Sequence, residues 1–295
     1  MKKNPYKYLV HFMAVAFMLS VSPGFSPSAF AAGGYSFSQI EFVPKTGTQA
    51  NGITEDGQVI GGTFDPLSEW NQGFYDIVGY GFFLLNYPNH WTNINGICGN
   101  VDGFKVSGSI PGICAFVGST SGVFTEICYP GALITYGTGC NIGGQVVGYY
   151  YPGNGFLWDS SGNFTNIDYP NAIYTRPYDI NNSGVIVGEY WPVTPGPSRG
   201  FLRDSNGNFS TIDYPGSYST TPMGINDTGQ IVGTYNDASG GTLGFLRDIT
   251  GKFTKIDVTG ATRTIASGIS NTGRIVGTYY SKSDDRAHGF LYSPK

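Results

Sequence analysis

Charge is scarce in this chain. Lysine and arginine number 16, aspartate and glutamate 20, and histidine three in 295 residues. No run of basic residues lies beyond the first seven. Phosphate backbones are bound by clustered lysine and arginine, so nucleic acid is excluded as a partner. Past residue 31, the only histidines are His90 and His288. They fall at different points of the repeat described below, which leaves a Ser-His-Asp triad or a histidine metal centre poorly supplied. Phosphate-loop, dinucleotide-binding and zinc-protease motifs are missing, and no cofactor or metal is expected. The four cysteines lack the short paired spacings of a zinc site. No segment has a helical period. Glycine (45), tyrosine (21) and phenylalanine (20) are plentiful instead. That balance suits a β-rich protein with many tight turns. Regular apolar positions from Phe37 to Leu291 exclude disorder.

The first 31 residues have the order of a secretory signal. Lys2, Lys3 and Lys7 precede an apolar stretch from Leu9 to Val21, and Ala29-Phe30-Ala31 supplies small residues at a cleavage site. Helix breakers follow the stretch (Pro23, Gly24, Pro27), and it is short for a membrane span; the alternative is an uncleaved anchor. Cleavage removes three lysines and no acid, taking the formal net charge from −4 to −7. Residues 32–295 are then expected as one soluble domain, secreted or periplasmic, monomeric, and not inserted in a membrane.

A phrase recurs at intervals of 40 to 47 residues. Its clearest copy runs from Phe209-Ser-Thr-Ile212-Asp213-Tyr214-Pro215 through Gly224-Ile225-Asn226 and Ile231-Val-Gly233 to Gly244-Phe245-Leu246. Three markers give six copies. One is the glycine closing an apolar run: Gly61, Gly108, Gly148, Gly188, Gly233 and Gly277. The second is an aromatic three residues before isoleucine, as in Phe37/Ile40, Trp91/Ile94 and Phe124/Ile127. The third is the Phe of Gly-Phe-Leu, assigned to Phe82, Phe116, Phe156, Phe201, Phe245 and Phe290. Each copy holds four strand-like pieces joined by turns such as Asn226-Asp-Thr-Gly229 and Asp204-Ser-Asn-Gly207.

Four antiparallel strands in a repeat of this length describe a propeller blade. The expected fold is all-β, a six-bladed β-propeller. The Gly-Ile-Asn strand is placed innermost and the Phe-x-x-Ile strand outermost. Residues 37–42 should then pair with residues 289–293 and leave no open edge. A β-solenoid or open sandwich is the rival arrangement. The pattern Gly-Ile-Asn-x-x-Gly-x-Ile-Val-Gly, followed by His288-Gly289-Phe290-Leu291, resembles the HAF-repeat family of secreted bacterial proteins. The resemblance spans nearly all of residues 32–295, although the His-Ala-Phe signature is imperfect (Cys114-Ala115-Phe116 in one copy). It implies an extracellular repeat protein and no defined activity.

Cys114 and Cys128 flank a turn at equal distance from residue 121, which sets them opposite each other in a hairpin. Cys98 and Cys140 sit on Gly-Ile-x strands of adjacent copies. Of three connectivities, Cys114–Cys128 with Cys98–Cys140 is preferred. Asp204-Ser-Asn-Gly-Asn208 has the start of a calcium loop without its distal glutamate, so it is read as a turn.

Function is expected where the repeat is broken. The connections after the Ile-Val-Gly strands vary most. The first carries Trp70, Tyr75 and Tyr80, and the fourth carries Glu189, Trp191 and Arg199; Tyr178 shares their face. Aromatic planes beside carboxylates and amides can stack on sugar rings or anchor a protein. The expected function is a secreted module that binds a glycan or an extracellular protein, with Trp70 and Trp191 as stacking anchors. Packing of the loops by these aromatics is the plain alternative. A polysaccharide-degrading lyase or hydrolase is the second reading, and would need two carboxylates on one cleft, drawn from Asp65, Glu69, Asp76, Asp179 and Glu189. A structural envelope protein is the third.

Overall fold

The computed structural model describes residues 35–40, 47–55, 57–65, 70–77, 81–84, 93–99, 105–109, 114–119 and 123–295. The expected signal (1–31), Glu69, Tyr80 and His90 lie outside them. The chain opens with β1 (Tyr35–Ile40). One four-stranded sheet follows: β2 (Gly47–Ile53), β3 (Val59–Asp65), β4 (Trp70–Ile77) and β5 (Gly81–Leu84). The next comprises β6 (Asn93–Cys98), β7 (Lys105–Ser109), β8 (Ala115–Ser119) and β9 (Phe124–Ile127). A third holds β10 (Ile134–Cys140), β11 (Val146–Tyr151), β12 (Gly155–Trp158) and β13 (Phe164–Ile167). A fourth holds β14 (Ala172–Ile180), β15 (Ile186–Pro192), β16 (Arg199–Arg203) and β17 (Phe209–Ile212). The chain continues through β18 (Ser219–Ile225), β19 (Ile231–Asn236), β20 (Thr242–Arg247) and β21 (Phe253–Ile256), then β22 (Ala261–Ile269), β23 (Ile275–Ser281) and β24 (Ala287–Pro294).

The fold is an all-β propeller with antiparallel four-stranded blades, and it corrects the expectation of six blades. Four blades stand as separate sheets. The last eight strands, β1 included, form one continuous sheet in place of two blades. The cause is local. A tight turn at Asp237–Gly241 lets β20 begin early, at Thr242, where it meets Arg263 of β22 in a parallel bridge. β1 pairs antiparallel with β24, Tyr35 opposite Pro294 and Ile40 opposite Gly289, so the two ends of the described chain share a sheet. The first strands β2, β6, β10, β14, β18 and β22 touch in succession, and β22 touches β2 again. They surround the axis.

The repeated glycine has a packing reason. In the third sheet Gly148 lies opposite Phe156, and a Cβ there would strike the Tyr136 carbonyl and the Phe156 ring. The same pair occurs as Gly61/Phe74, Gly108/Phe116, Gly188/Phe201, Gly233/Phe245 and Gly277/Phe290. All six phenylalanines are fully buried. The glycine admits the ring, and the ring fills the interior of its sheet.

The first copy corrects two markers. Phe74, on β4, holds the interior position assigned to Phe82, while Gly81–Leu84 is the outer strand β5. Ile94 lies on the inner strand β6 opposite Gly108, not on an outer strand. Much of the first variable connection, which carries Trp70 and Tyr75, is the β3–β4 ladder, which runs out to Asp65 opposite Trp70. Both preferred disulfides are present, Cys98–Cys140 between neighbouring inner strands and Cys114–Cys128 beside the turn between β8 and β9. Among the described residues no helix is long and apolar enough to cross a membrane.

Candidate functional site

The inner strands enclose an axial cavity of about 270 Å³, to which all six contribute. Its rim is built by the tight turns that close the first hairpin of each copy. Asn141 Nδ2 donates to the Asn181 carbonyl (3.2 Å), Asn181 Nδ2 to that of Asn226 (3.2 Å), and Asn226 Nδ2 to that of Ser270 (2.9 Å). A second belt lies beside it. The Ile142 N–H donates to Asn182, the Asn182 N–H to Asp227, the Asp227 N–H to Asn271, and the Asn271 N–H to Glu55. These asparagines therefore serve the turns and the joints between copies, and the same belts leave Glu55 and Asp227 at the cavity wall.

Deeper in the cavity one copy differs from the rest. Each inner strand has a register shift two residues before Ile53, Ile97, Cys140, Ile180, Ile225 or Ile269. The residue just before that position is Gly52, Gly96, Gly139, Gly224 and Gly268 in five copies, and Asp179 in the fourth. The five glycines are there because the strands nearly touch. A Cβ on Gly96 would meet the Gly139 Cα at 2.8 Å, and one on Gly268 would meet the Gly52 Cα at 3.0 Å. Asp179 is the one side chain placed in this ring, and it lines the cavity.

The preceding position differs too. In three copies it carries a side chain that bonds the next inner strand: Asn51 to the Ile94 carbonyl (2.7 Å), Asn95 to that of Gly137 (2.9 Å) and Thr138 to that of Pro177 (2.9 Å). The fourth copy has Tyr178. Its hydroxyl turns away and donates to Glu189 Oε1 at 2.6 Å. Asp179 supplies the link between strands instead, its Oδ2 accepting the Ile225 N–H at 2.9 Å while Oδ1 accepts its own neighbour's, Ile180, at 2.9 Å.

Electrostatics follow from this placement. Desolvation pushes the Asp179 carboxyl up from 3.8 to about 7; the Ile225 and Ile180 N–H groups pull against it, and the nearby Asp227 adds to the rise. Asp179 therefore exchanges its proton near neutrality, the range a general acid or base needs. Burial, followed by the Glu189 charge and hydrogen bond, holds the Tyr178 phenol well above its ordinary value, so it remains a neutral donor. Asp227 lies on the same wall and is held by the Asn182 N–H (2.8 Å), Asn182 Nδ2 (2.6 Å) and Asn271 Nδ2 (2.9 Å).

The residues expected to bind ligand separate into groups. Tyr178 and Glu189 come together, and Thr221 of the following inner strand donates to the second Glu189 oxygen at 2.9 Å. Trp191 lies nearby on β15, with the Arg176 guanidinium over one face of its ring at 4.8 Å. Arg199 is spent in an ion pair with Asp213 at 2.9 Å on the outer part of the sheet. Asp213 and Asp257, which recur after the outer-strand isoleucine, are both paired: Asp213 with Arg199 and Asp257 with Lys255 (3.0 Å). Trp70 and Tyr75 lie on β4 of the first sheet, described in backbone only, and Tyr80 lies outside the described residues. Of the acids considered for catalysis, Asp65 and Asp76 are likewise on β3 and β4. The Asp204 turn is closed by its own carboxylate, which accepts from the Asn206 and Asn208 N–H groups. Among the described residues no three His, Cys, Asp or Glu side chains converge as metal ligands.

No protein-family model matches the chain, and no curated protein matches it in sequence. Similar solved structures include a gluconolactonase from Xanthomonas campestris, 10% identical over 92% of this chain and 93% of that one, with a TM-score of 0.56. A putative TolB from Agrobacterium tumefaciens is 12% identical over 89% and 99%, with a TM-score of 0.56. An oligogalacturonate lyase from Vibrio parahaemolyticus is 9% identical over 89% and 98%, with a TM-score of 0.52. Identity this low shows a shared propeller scaffold and nothing finer.

Proposed function

We propose that this protein is an extracellular enzyme acting on carbohydrate, a polysaccharide-degrading hydrolase or lyase, with Asp179 as its proton-transferring residue. One observation carries the reading. In a ring of five glycines at the axis, the sixth position holds a carboxyl that opens on a cavity and titrates near neutrality. Besides linking two inner strands through the Ile225 N–H, this side chain adds to the ring an ionisable group that glycine in the other copies does not. The walls suit a hydroxylated substrate, since they present asparagine amides, backbone groups and carboxylates rather than an apolar slot. Asp227 supplies the second carboxylate that hydrolysis requires; Tyr178 contributes to the same wall while its hydroxyl stays on Glu189. The structural neighbours include enzymes named for a lactone and an oligogalacturonate, so the scaffold is compatible with such chemistry; the proposal rests on Asp179. Secretion, by the leader at residues 1–31, and the HAF-repeat resemblance belong to the same reading.

The test is a panel of neutral and acidic polysaccharides, followed by reducing-end release and by the absorbance of unsaturated products. Turnover is expected on at least one, with an inflexion near neutral pH. Asp179→Gly, which restores the residue of the other copies, should lower kcat/KM by at least about 10²-fold at about pH 8, with the variant shown to be folded under the assay conditions. No turnover across the panel, or turnover and pH profile unchanged in Asp179→Gly, overturns the proposal.

A further inference from the structure

The second exceptional feature of the fourth copy lies toward the long connections, away from the cavity, and stands whether or not Asp179 is catalytic. Arg176 on β14 is opposite Glu189 on β15 in the antiparallel ladder. Opposite residues of unlike charge on one sheet face ordinarily pair. Here they do not. Both Glu189 oxygens are taken by hydroxyls, Tyr178 at 2.6 Å and Thr221 at 2.9 Å, and the glutamate is buried, 6% exposed. The Arg176 guanidinium is held between two aromatic rings instead. It lies 5.0 Å from the centre of Tyr149 and 4.8 Å from that of Trp191. Tyr136 stacks on Tyr149, with ring centres 4.8 Å apart. Among the described residues no hydrogen bond or ion pair engages the guanidinium.

We infer that Arg176, clamped by Tyr149 and Trp191, is a recognition site for the carboxylate of an acidic sugar. A guanidinium held against two rings by cation–π contact, and not hydrogen-bonded among the described residues, keeps N–H donors for a planar anion. That fork matches a carboxylate by two parallel bonds. Holding the side chain in advance lowers the entropy lost on binding. The internal competitor is removed, because Glu189 is satisfied by hydroxyl donors. The neighbouring Tyr136, Tyr149 and Trp191 rings supply flat apolar surface of the kind on which the C–H face of a sugar packs. The corresponding residues of the other copies are Gln49, Asn93, Tyr136, Thr221 and Ile265. No other copy places a cation there, so the site belongs to this copy and is not a structural constant of the repeat.

The experiment is calorimetric titration of the intact, disulfide-bonded protein with D-galacturonate, D-glucuronate and, as the neutral control, D-galactose. Wild type is expected to bind at least one uronate about tenfold or more tightly than galactose, less tightly as salt rises. Arg176→Gln should remove that preference. Arg176→Lys, which keeps the charge and loses the fork, should retain only part of it. Glu189→Gln should leave the preference intact or increase it, because it removes a nearby negative charge. Each variant is checked for an unchanged thermal midpoint, and Lys serves as the readout where Gln fails to fold. Equal binding of uronates and galactose, no binding of either uronate, or an unchanged preference in both Arg176 variants overturns the inference.

Discussion

Replacing Asp179 by glycine should change both the size of the stability and its dependence on pH, and the pH dependence is the diagnostic part. The carboxyl of the folded protein titrates at about 7, against 3.8 for the unperturbed group. Below both values the group is protonated in the folded and unfolded chain alike and contributes no slope. Between them the folded chain holds a proton that the unfolded chain has released, so unfolding becomes easier as pH rises. The slope for one group is about −1.4 kcal/mol per pH unit over the interval from roughly pH 4 to pH 7. Integrated, it amounts to roughly 4 kcal/mol of stability present at the acid end and lost by about pH 8. Against this, glycine removes the acceptor of the Ile225 and Ile180 N–H groups. Each costs about 1–3 kcal/mol where it stays unpaired, and that cost does not depend on pH. The difference between wild type and Asp179→Gly should therefore fall across the neutral range. Wild type is expected to be the more stable protein near pH 4–5 and to lose most or all of its advantage by about pH 8. Urea unfolding followed by tryptophan fluorescence, with the disulfides intact, measures both curves. Parallel curves over that interval would show that Asp179 titrates as an ordinary exposed carboxyl. The desolvation reasoning, and with it the acid–base role, would then be wrong.

Two further outcomes test the frame around the site. The Cys98–Cys140 bridge closes a separation of 42 residues and Cys114–Cys128 one of 14; replacing the first pair by serine should cost about 4 kcal/mol and the second about 3 kcal/mol, read by the same urea unfolding, and a smaller loss from the first pair than from the second would contradict the loop-closure account. Gly148→Ala drives a Cβ into the Tyr136 carbonyl and the Phe156 ring, whereas a Cβ at Gly162 meets open space at a positive φ of 90°; the first should cost more than about 3 kcal/mol and the second about 1–2 kcal/mol, and equal losses in thermal unfolding would refute the packing role of the repeated glycine.

The repeat was legible because its constraints are local and hard. A glycine that admits a buried phenylalanine cannot be varied, so Gly108, Gly148 and their counterparts mark every copy. The cysteine pairs were legible for a similar reason: hairpin symmetry and adjacent inner strands leave little choice of partner. The first copy misled because Gly81-Phe82-Phe83-Leu84 carries the letters of an inner-sheet strand and lies at the outer edge, while Gly73-Phe74 does the packing. The count of separate sheets was out of reach of periodicity. It turned on one bridge, Thr242 to Arg263, created by where β20 happens to begin. At the site, Trp191 and Glu189 drew notice as chemistry-bearing residues in a variable connection. Asp179 was named among five candidate acids but not for its place in the glycine column, and Arg176 was not named, because they lie inside a strand that reads as structural. Setting the copies in register at the isoleucine (Cys140 in the third) exposes both: the column before it reads glycine five times and aspartate once, and the column four before it holds one cation, Arg176.

That column also explains why the unusual residues occur together. Once Tyr178 replaces an amide or hydroxyl, the bond to the next strand's carbonyl made by Asn51, Asn95 and Thr138 is not made from that position. The phenol is long enough to reach Glu189, and Glu189 so engaged is withdrawn from Arg176. The lost joint between strands is replaced by Asp179 through the Ile225 N–H, which requires a carboxyl where only glycine fits elsewhere. One substitution in the repeat thus draws a carboxyl into the cavity on the tight-turn side and releases a guanidinium on the connector side. A double substitution that restores the common pattern, Tyr178→Asn with Asp179→Gly, should therefore act on both places. It is expected to abolish carbohydrate turnover and, by freeing Glu189 to pair with Arg176, to weaken uronate binding as well. Asp179→Gly alone should lower turnover and leave uronate binding in place. If the double variant binds uronate as wild type does, Glu189 is not controlled by the Tyr178 hydroxyl, and the two sites are linked only by their place in the chain.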